Sequence, residues 1–164
     1  MATPDFVLEL REKIGHVSLW LTGVTAVVLR ADEILLVRRA DTGEWTPVTG
    51  IIDPGEEPAD AAAREVLEEA DVCARVERLV WVHVLDAIVY VNGDQAQYLD
   101  LVFVCRWLSG TPAPADGENT DARWWPLDNL PPMPESYAER IRLAVESEGA
   151  ARFEQRMPVG APEN

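Results

Sequence analysis

Three glutamates, Glu65, Glu68 and Glu69, lie three and four positions apart in the stretch from Pro58 to Ala70, which is otherwise built mainly of Ala, Arg, Val and Leu. The stretch is dominated by strong helix formers, and a proline near the first turn removes no helical hydrogen bond, so a helix is predicted over 58–70. Positions three and four apart share a helix face, which aims the three carboxylates toward one region of space. Their mutual repulsion calls for a cation. Hard oxygen donors suit Mg2+ or Mn2+, and Mg2+ keeps waters and substrate phosphate oxygens among its ligands. Such a cluster is suited to phosphate chemistry.

The surroundings sharpen that reading. Between Asp53 and Asp71 eight carboxylates face one cation, Arg64, for a local formal charge of −7. A solvated helix face would account for the glutamates alone. It would not account for the Pro54-Gly55 turn set just before the helix, nor for Arg64 placed where Glu56 or Glu68 can pair with it.

Taken together, these positions resemble the Nudix box: Gly50, five residues, Glu56, seven residues, then Arg64-Glu65-Val66-Leu67-Glu68-Glu69-Ala70-Asp71-Val72. One position departs from the pattern. Asp71 stands where the family has glycine, just past the helix end, where a left-handed backbone is common; Asp tolerates that conformation at a cost of about 1 kcal/mol, with its charge at the negative end of the helix dipole. The phrases WTPVTG before the box and RWWPLDNLP near the C-terminus are also similar to family members, so the likeness covers most of the chain.

The resemblance implies an α+β fold of the α/β/α sandwich type, with a mixed β-sheet flanked by helices and a catalytic loop-helix-loop. It implies a Mg2+-dependent hydrolase, with Mn2+ as the other candidate ion, that cleaves the pyrophosphate bond of a nucleoside diphosphate derivative. Both an ADP-ribose-like sugar nucleotide and a (d)NTP fit. By the same analogy, Glu65, Glu68, Glu69 and the carbonyl of Gly50 hold the metal, Glu68 or Glu69 is the general base, and Glu118 is a further ligand or the base. Glu56 and Gly55 are structural, and Arg64 orients the carboxylates. Arg38 or Arg39 would reach a phosphate or ribose, and Trp45 would stack on a base. The alternative is a catalytically weak module that binds and senses a nucleotide, although it would have no need to keep all three glutamates.

The elements that must carry these residues can be read from local pattern. Phe6, Val7, Leu10 and Ile14 recur at helical spacing, giving an N-terminal helix within residues 1–16 that belongs to the same domain. TGVTAVVLR and EILLVRR read as strand, turn and strand, with Arg38 and Arg39 at the end of the second. CARVERLVWVHVLDAIVYVNG and QYLDLVFVCRWLSG read as long antiparallel strands with a turn at Asn92-Gly93-Asp94. Tyr137, Ile141, Ala144 and Val145 mark a last helix. The hydrolase domain is expected over 17–147, with a loose tail over 148–164.

Composition bounds the rest. The 164 residues, 48% hydrophobic, suit one domain with a proper core. A formal charge of −15 repels polyanions, so a small nucleotide rather than a nucleic-acid polymer is the expected partner. No membrane association and a cytoplasmic location are expected, since the N-terminus has charges where a signal peptide needs apolar residues and no run approaches a membrane span. Cys73 and Cys105 lack a metal or redox pattern and are expected to be buried. A homodimer is expected from the family.

Overall fold

The computed structural model describes residues 3–155. The elements are, in order, α1 (Asp5–Ile14), β1 (Leu19–Arg30), β2 (Glu33–Arg39), β3 (Trp45–Thr46), β4 (Val48–Ile51), α2 (Pro58–Ala70), β5 (Val72–Val84), β6 (Ile88–Val89), β7 (Gln95–Gly110), β8 (Asn119–Pro126), α3 (Glu135–Glu146) and β9 (Arg152–Phe153). They form a mixed sheet along the path β3-β2-β1-β7-β5-β9, with β4 on β1, β6 on β7 and β8 on β2. β1 and β7 run parallel; β7 returns antiparallel to β5.

Alternation along the strands produces the sandwich. Val24, Ala26 and Val28 of β1, with Leu35 and Val37 of β2, pack against Ala61, Ala62, Val66 and Ala70 of α2. Their intervening neighbours Val27, Ile34 and Leu36 point to the opposite face, where they meet Ile141 and Ala144 of α3. Val7 of α1 packs with Leu21, Ile51 and Ala96. A β-branched apolar strand buried on both sides explains why β1 reads as a continuous hydrophobic run.

Three details differ from the sequence reading. The segment expected as a loose tail contains β9, which pairs in parallel with Trp81 and Val82 of β5; residues 156–164 lie outside the described chain, as do residues 1–2. Strand formation there follows from the open edge of β5, which no local pattern in the tail reveals. Cys73 is exposed, while Cys105 is buried and its thiol is pushed up to about 12 by burial. The turn at Asn92-Gly93 joins β7 to the short β6 rather than directly to β5. Among the described residues no helix is long and apolar enough to cross a membrane.

Candidate active site

The site forms where β4 ends, turns and feeds α2. Gly50 is buried in β4 with its backbone paired to Val24, and its α-carbon lies against the Glu65 carboxyl: a methyl group there would overlap Glu65 Cγ, Cδ and Oε1. Glycine at this position lets the carboxylate approach the strand backbone. The chain then passes Asp53, whose N–H bonds Glu56 Oε2 at 3.1 Å, and Gly55, whose φ of 87° supplies the left-handed step of the turn.

Arg64 holds this corner together. Its Nε and Nη2 donate to the two Glu56 oxygens at 2.8 and 2.9 Å, its Nη2 also reaches the Ile51 carbonyl at 3.2 Å, and its Nη1 bonds both Glu65 and Glu68 at 3.0 Å. The loop, the strand end and the helix are thereby locked by one guanidinium, a geometry lysine cannot copy. Hydrogen bonds to Glu56 hold the Arg64 cation firmly protonated and lower the Glu56 pKa. Both alternatives for the Arg64 partner are thus realised at once.

Glu65 and Glu69 are each only 3% exposed. Burial raises the pKa of Glu65, against the pull of Arg64, and pushes that of Glu69 up to about 7, with the charges of Glu65 and Asp116 adding to the rise. Glu68 instead leaves half its side chain in solvent and turns to Arg64. Hence three carboxylates do not converge as they stand, and among the described residues no three His, Cys, Asp or Glu side chains are gathered as ligands of one ion. The donor set nonetheless fits a hard divalent cation: two buried carboxylates that burial drives toward protonation, both of oxygen chemistry, one of them seated against a glycine.

The far side is closed by the loop before β8. Ala113 N–H bonds the Ala70 carbonyl at 3.0 Å and Ala115 N–H the Glu69 carbonyl at 3.4 Å, so the loop hangs on the end of α2. Asn119, which sequence reasoning missed, donates from Nδ2 to Glu69 Oε2 at 3.2 Å. Its only sequence signal is a position in a polar tract just before a strand. Glu118 is half-buried; its N–H bonds Asp116 Oδ1 and its carbonyl accepts from Ala40, which ties the loop to β2.

The two arginines part company. Arg39 pairs with Asn119 across the strands, is gripped by Asp41 through Nε at 2.9 Å and Nη2 at 2.6 Å, and lies within electrostatic reach of Glu69. Arg38 is exposed, bonds the Gly43 carbonyl and stands opposite Trp45. Trp45 packs edge-on against Trp125 at 5.3 Å, beside the α3 cluster, with Arg123 over its ring. Glu65, Glu69, Gly50, Arg64, Glu56 and Arg39 therefore surround one corner, while Arg38 and Trp45 form a separate surface.

The chain is similar to known proteins in sequence and in fold. The NUDIX domain family model matches residues 20–144. The chain is 36% identical over 114 residues to an NAD-capped RNA hydrolase, NudC, of Pseudomonas syringae pv. syringae, a match covering 66% of this chain and 37% of that protein. The chain thus spans little more than a third of the length of the NudC relatives it matches. A MutT-like protein of Streptomyces ambofaciens is 34% identical over 128 residues, 77% of each chain. The crystal structure of an ADP-ribose pyrophosphatase from Streptococcus suis superposes with a TM-score of 0.62 at 26% identity, covering 79% of this chain and 95% of that one.

Proposed function

The chain belongs to the NUDIX family, and from that premise we propose that it is a hydrolase that cleaves the diphosphate bond of a nucleoside diphosphate derivative with Mg2+ or Mn2+ bound. The observation that carries the reading is the buried Glu65–Glu69 pair beside Gly50, set in place by Arg64. Keeping two carboxylates out of water without a use for a cation would cost stability.

Glu65, Glu69 and the Gly50 carbonyl are the residues that would hold the ion, with Glu68 swinging from Arg64 to join them. Bound there, the ion would neutralise diphosphate charge and acidify a water. Glu68 or Glu69 takes the proton of the attacking water, and Glu118 is the candidate from the opposite loop for the same work or for a further ligand. Arg64 fixes the carboxylates through Glu56 and the Ile51 carbonyl, so it is a positioning residue. Asn119 orients the Glu69 carboxylate by donating to Oε2. Arg39 is the better placed of the two strand-end arginines to meet a phosphate, given its reach toward Glu69. Arg38 and Trp45 would meet a base or sugar that extends over β3.

For the substrate we favour an ADP-linked compound of the ADP-ribose type over a (d)NTP. An NAD cap and ADP-ribose, named for two of the similar proteins, both carry adenosine diphosphate joined to a second sugar. With a charge of −15 the chain has little to offer the polymer behind such a cap, which supports a small nucleotide as the partner. A cytoplasmic homodimer is part of the same reading.

The test is nucleoside monophosphate release from a panel of ADP-ribose, other sugar nucleotides, NAD, (d)NTPs and 8-oxo-dGTP in Mg2+ or Mn2+. Release of AMP from ADP-ribose at the highest kcat/KM is expected. If nothing turns over while a nucleotide still raises the melting temperature, the protein is a sensing module instead.

A further inference from the structure

The face of the sheet that carries α3 holds a buried polar group that the hydrolysis reading does not use. Asp100 of β7, 3% exposed, accepts from the Thr25 hydroxyl at 3.1 and 3.0 Å and lies 3.0 Å from His83 Nε2. Arg140 of α3, 4% exposed, stands 3.1 Å from the same carboxylate. Its Nε is enclosed, yet among the described residues that nitrogen has no aligned hydrogen-bond acceptor, so Asp100 holds it by charge alone. The other neighbour of Arg140 is Tyr137, whose ring centroid lies 4.8 Å from the guanidinium carbon. Taking a guanidinium out of water is costly. Held between Asp100 and Tyr137, this one fixes the place of an aromatic ring.

That ring stands at the active corner. Tyr137 lies half-buried in the first turn of α3, its N–H bonded to the Pro134 carbonyl at 3.0 Å. Its hydroxyl and the Glu69 carboxylate both act on the charge of Arg39, so one guanidinium lies between the α3 ring and the α2 carboxylate. Gly23 joins the two faces from below: a side chain starting there would meet the Gly50 carbonyl oxygen at 3.4 Å and Asp100 Oδ1 at 3.7 Å. The Asp100–Arg140 pair therefore backs the strand that carries Gly50, and Tyr137 is one turn from Arg140 along α3.

We propose that Tyr137 contacts the substrate: its ring, backed by Arg140, stacks on the base of the nucleoside whose phosphate meets Arg39. The identity of the ligand rests on the hydrolase reading. With the diphosphate at Glu65 and Glu69 and one phosphate on Arg39, the next units are a sugar and its base, and the ring beyond Arg39 is Tyr137. Trp45 is the competing ring, but Trp125 meets it edge-on and Arg123 lies over it, whereas among the described residues no aromatic ring packs on Tyr137. Arg140 covers one face of Tyr137 and leaves the other for stacking. Stacking accepts any base, so the subsite separates nucleotides from bare pyrophosphate more than one base from another. The group on the second phosphate then extends over β3 toward Trp45.

Titration calorimetry with ADP and with inorganic pyrophosphate, both in Mg2+, on wild type, Tyr137→Ala and Tyr137→Phe tests the subsite without any turnover. Tyr137→Ala is expected to bind ADP about 10-fold or more weakly, the size of one lost base–aromatic stack. Pyrophosphate, which has no base, should bind it as it binds wild type, and Tyr137→Phe should keep the affinity for ADP. Should Tyr137→Ala fail to fold, Tyr137→Leu fills the space without a π face and serves the same purpose. Arg140→Met/Asp100→Asn, which removes the backing and leaves the ring, should lose part of the ADP affinity and none of the pyrophosphate affinity. Wild type that binds ADP no more tightly than pyrophosphate overturns the proposal. So does Tyr137→Ala that binds ADP like wild type, and so does an equal loss for both ligands, which would make Tyr137 a support of the metal corner. ADP bound through Tyr137 by a protein that hydrolyses nothing would sink the hydrolase reading and leave the subsite standing.

Discussion

Removing Arg64 should loosen the corner that makes the site, and the size of the effect follows from its partners. Arg64→Met strips the hydrogen bonds to Glu56, Glu65, Glu68 and the Ile51 carbonyl together. Breaking a buried ion pair from one side costs about 3–5 kcal/mol. The 30% exposure of Arg64 and the half-exposed Glu68 screen part of that, which brings the expectation to about 3 kcal/mol. For a chain of this size the melting temperature then falls by roughly 6–12 °C. Arg64→Lys keeps one charge but cannot span Glu56 and Ile51, so it should lose about half as much.

Metal and pH make the prediction specific. Arg64 orders the carboxylates that would hold the ion, so its loss weakens metal binding and the deficit of Arg64→Met should widen in Mg2+ relative to chelator-containing buffer; at about 100 Kd of ligand the wild type gains ~2.7 kcal/mol, and the weaker-binding variant less. In chelator, the pKa of Glu69 is raised above its ordinary 4.5 to about 7, so the stability it contributes is complete below about 4.5 and is lost as pH rises through about 7. Glu65 shifts in the same direction. The variant's deficit should therefore widen between pH 5 and pH 8. Differential scanning calorimetry in EDTA and in Mg2+ at both pH values is the assay. A loss below about 1 kcal/mol, or one indifferent to metal and pH, would refute the assignment of Arg64 as the residue that orders the carboxylates.

Three further outcomes follow from single contacts. Gly50→Ala must push the Glu65 carboxyl off the strand, so it should cost about 1–3 kcal/mol in calorimetry and weaken Mn2+ binding measured by titration calorimetry. Asp71→Gly should stabilise by about 1 kcal/mol, seen as a rise of roughly 2–4 °C in melting temperature, because Asp71 holds φ 53°, ψ 36° at the C-terminus of α2. Asp100 and Arg140 form an ion pair at 3.1 Å, both about 4% exposed, in which Asp100 also accepts from Thr25. Arg140→Met should cost about 3–5 kcal/mol in urea unfolding, and Arg140→Met/Asp100→Asn noticeably less.

The parts of the fold that sequence disclosed are those set by short-range pattern. The alternation in β1 and β2, the Ala-Glu-Arg helix α2 and the spacing of α3 each specify an element through which face it can bury. The box gave Gly50, Glu56, Arg64, Glu65, Glu68 and Glu69 because it is one contiguous stretch, and the left-handed backbone expected at Asp71 is present. What stayed hidden arises between distant segments. Asn119 reaches Glu69 across fifty residues, and Asp100 meets Arg140 and His83 through sheet register and helix docking. β9 exists because β5 has an edge to pair. The separation of Arg38 from Arg39 follows from strand alternation combined with a register shift between them against β8, which the dipeptide alone cannot show.

That buried Glu65 and Glu69, ordered by Arg64, make a metal-dependent hydrolase is tested most directly by AMP release from ADP-ribose by wild type, Glu69→Gln and Glu118→Gln, each in Mg2+ and in EDTA. Turnover by wild type in Mg2+ alone is expected, with a loss of at least about 100-fold in Glu69→Gln and a smaller loss in Glu118→Gln. Turnover that survives EDTA, or that Glu69→Gln leaves intact, would contradict it.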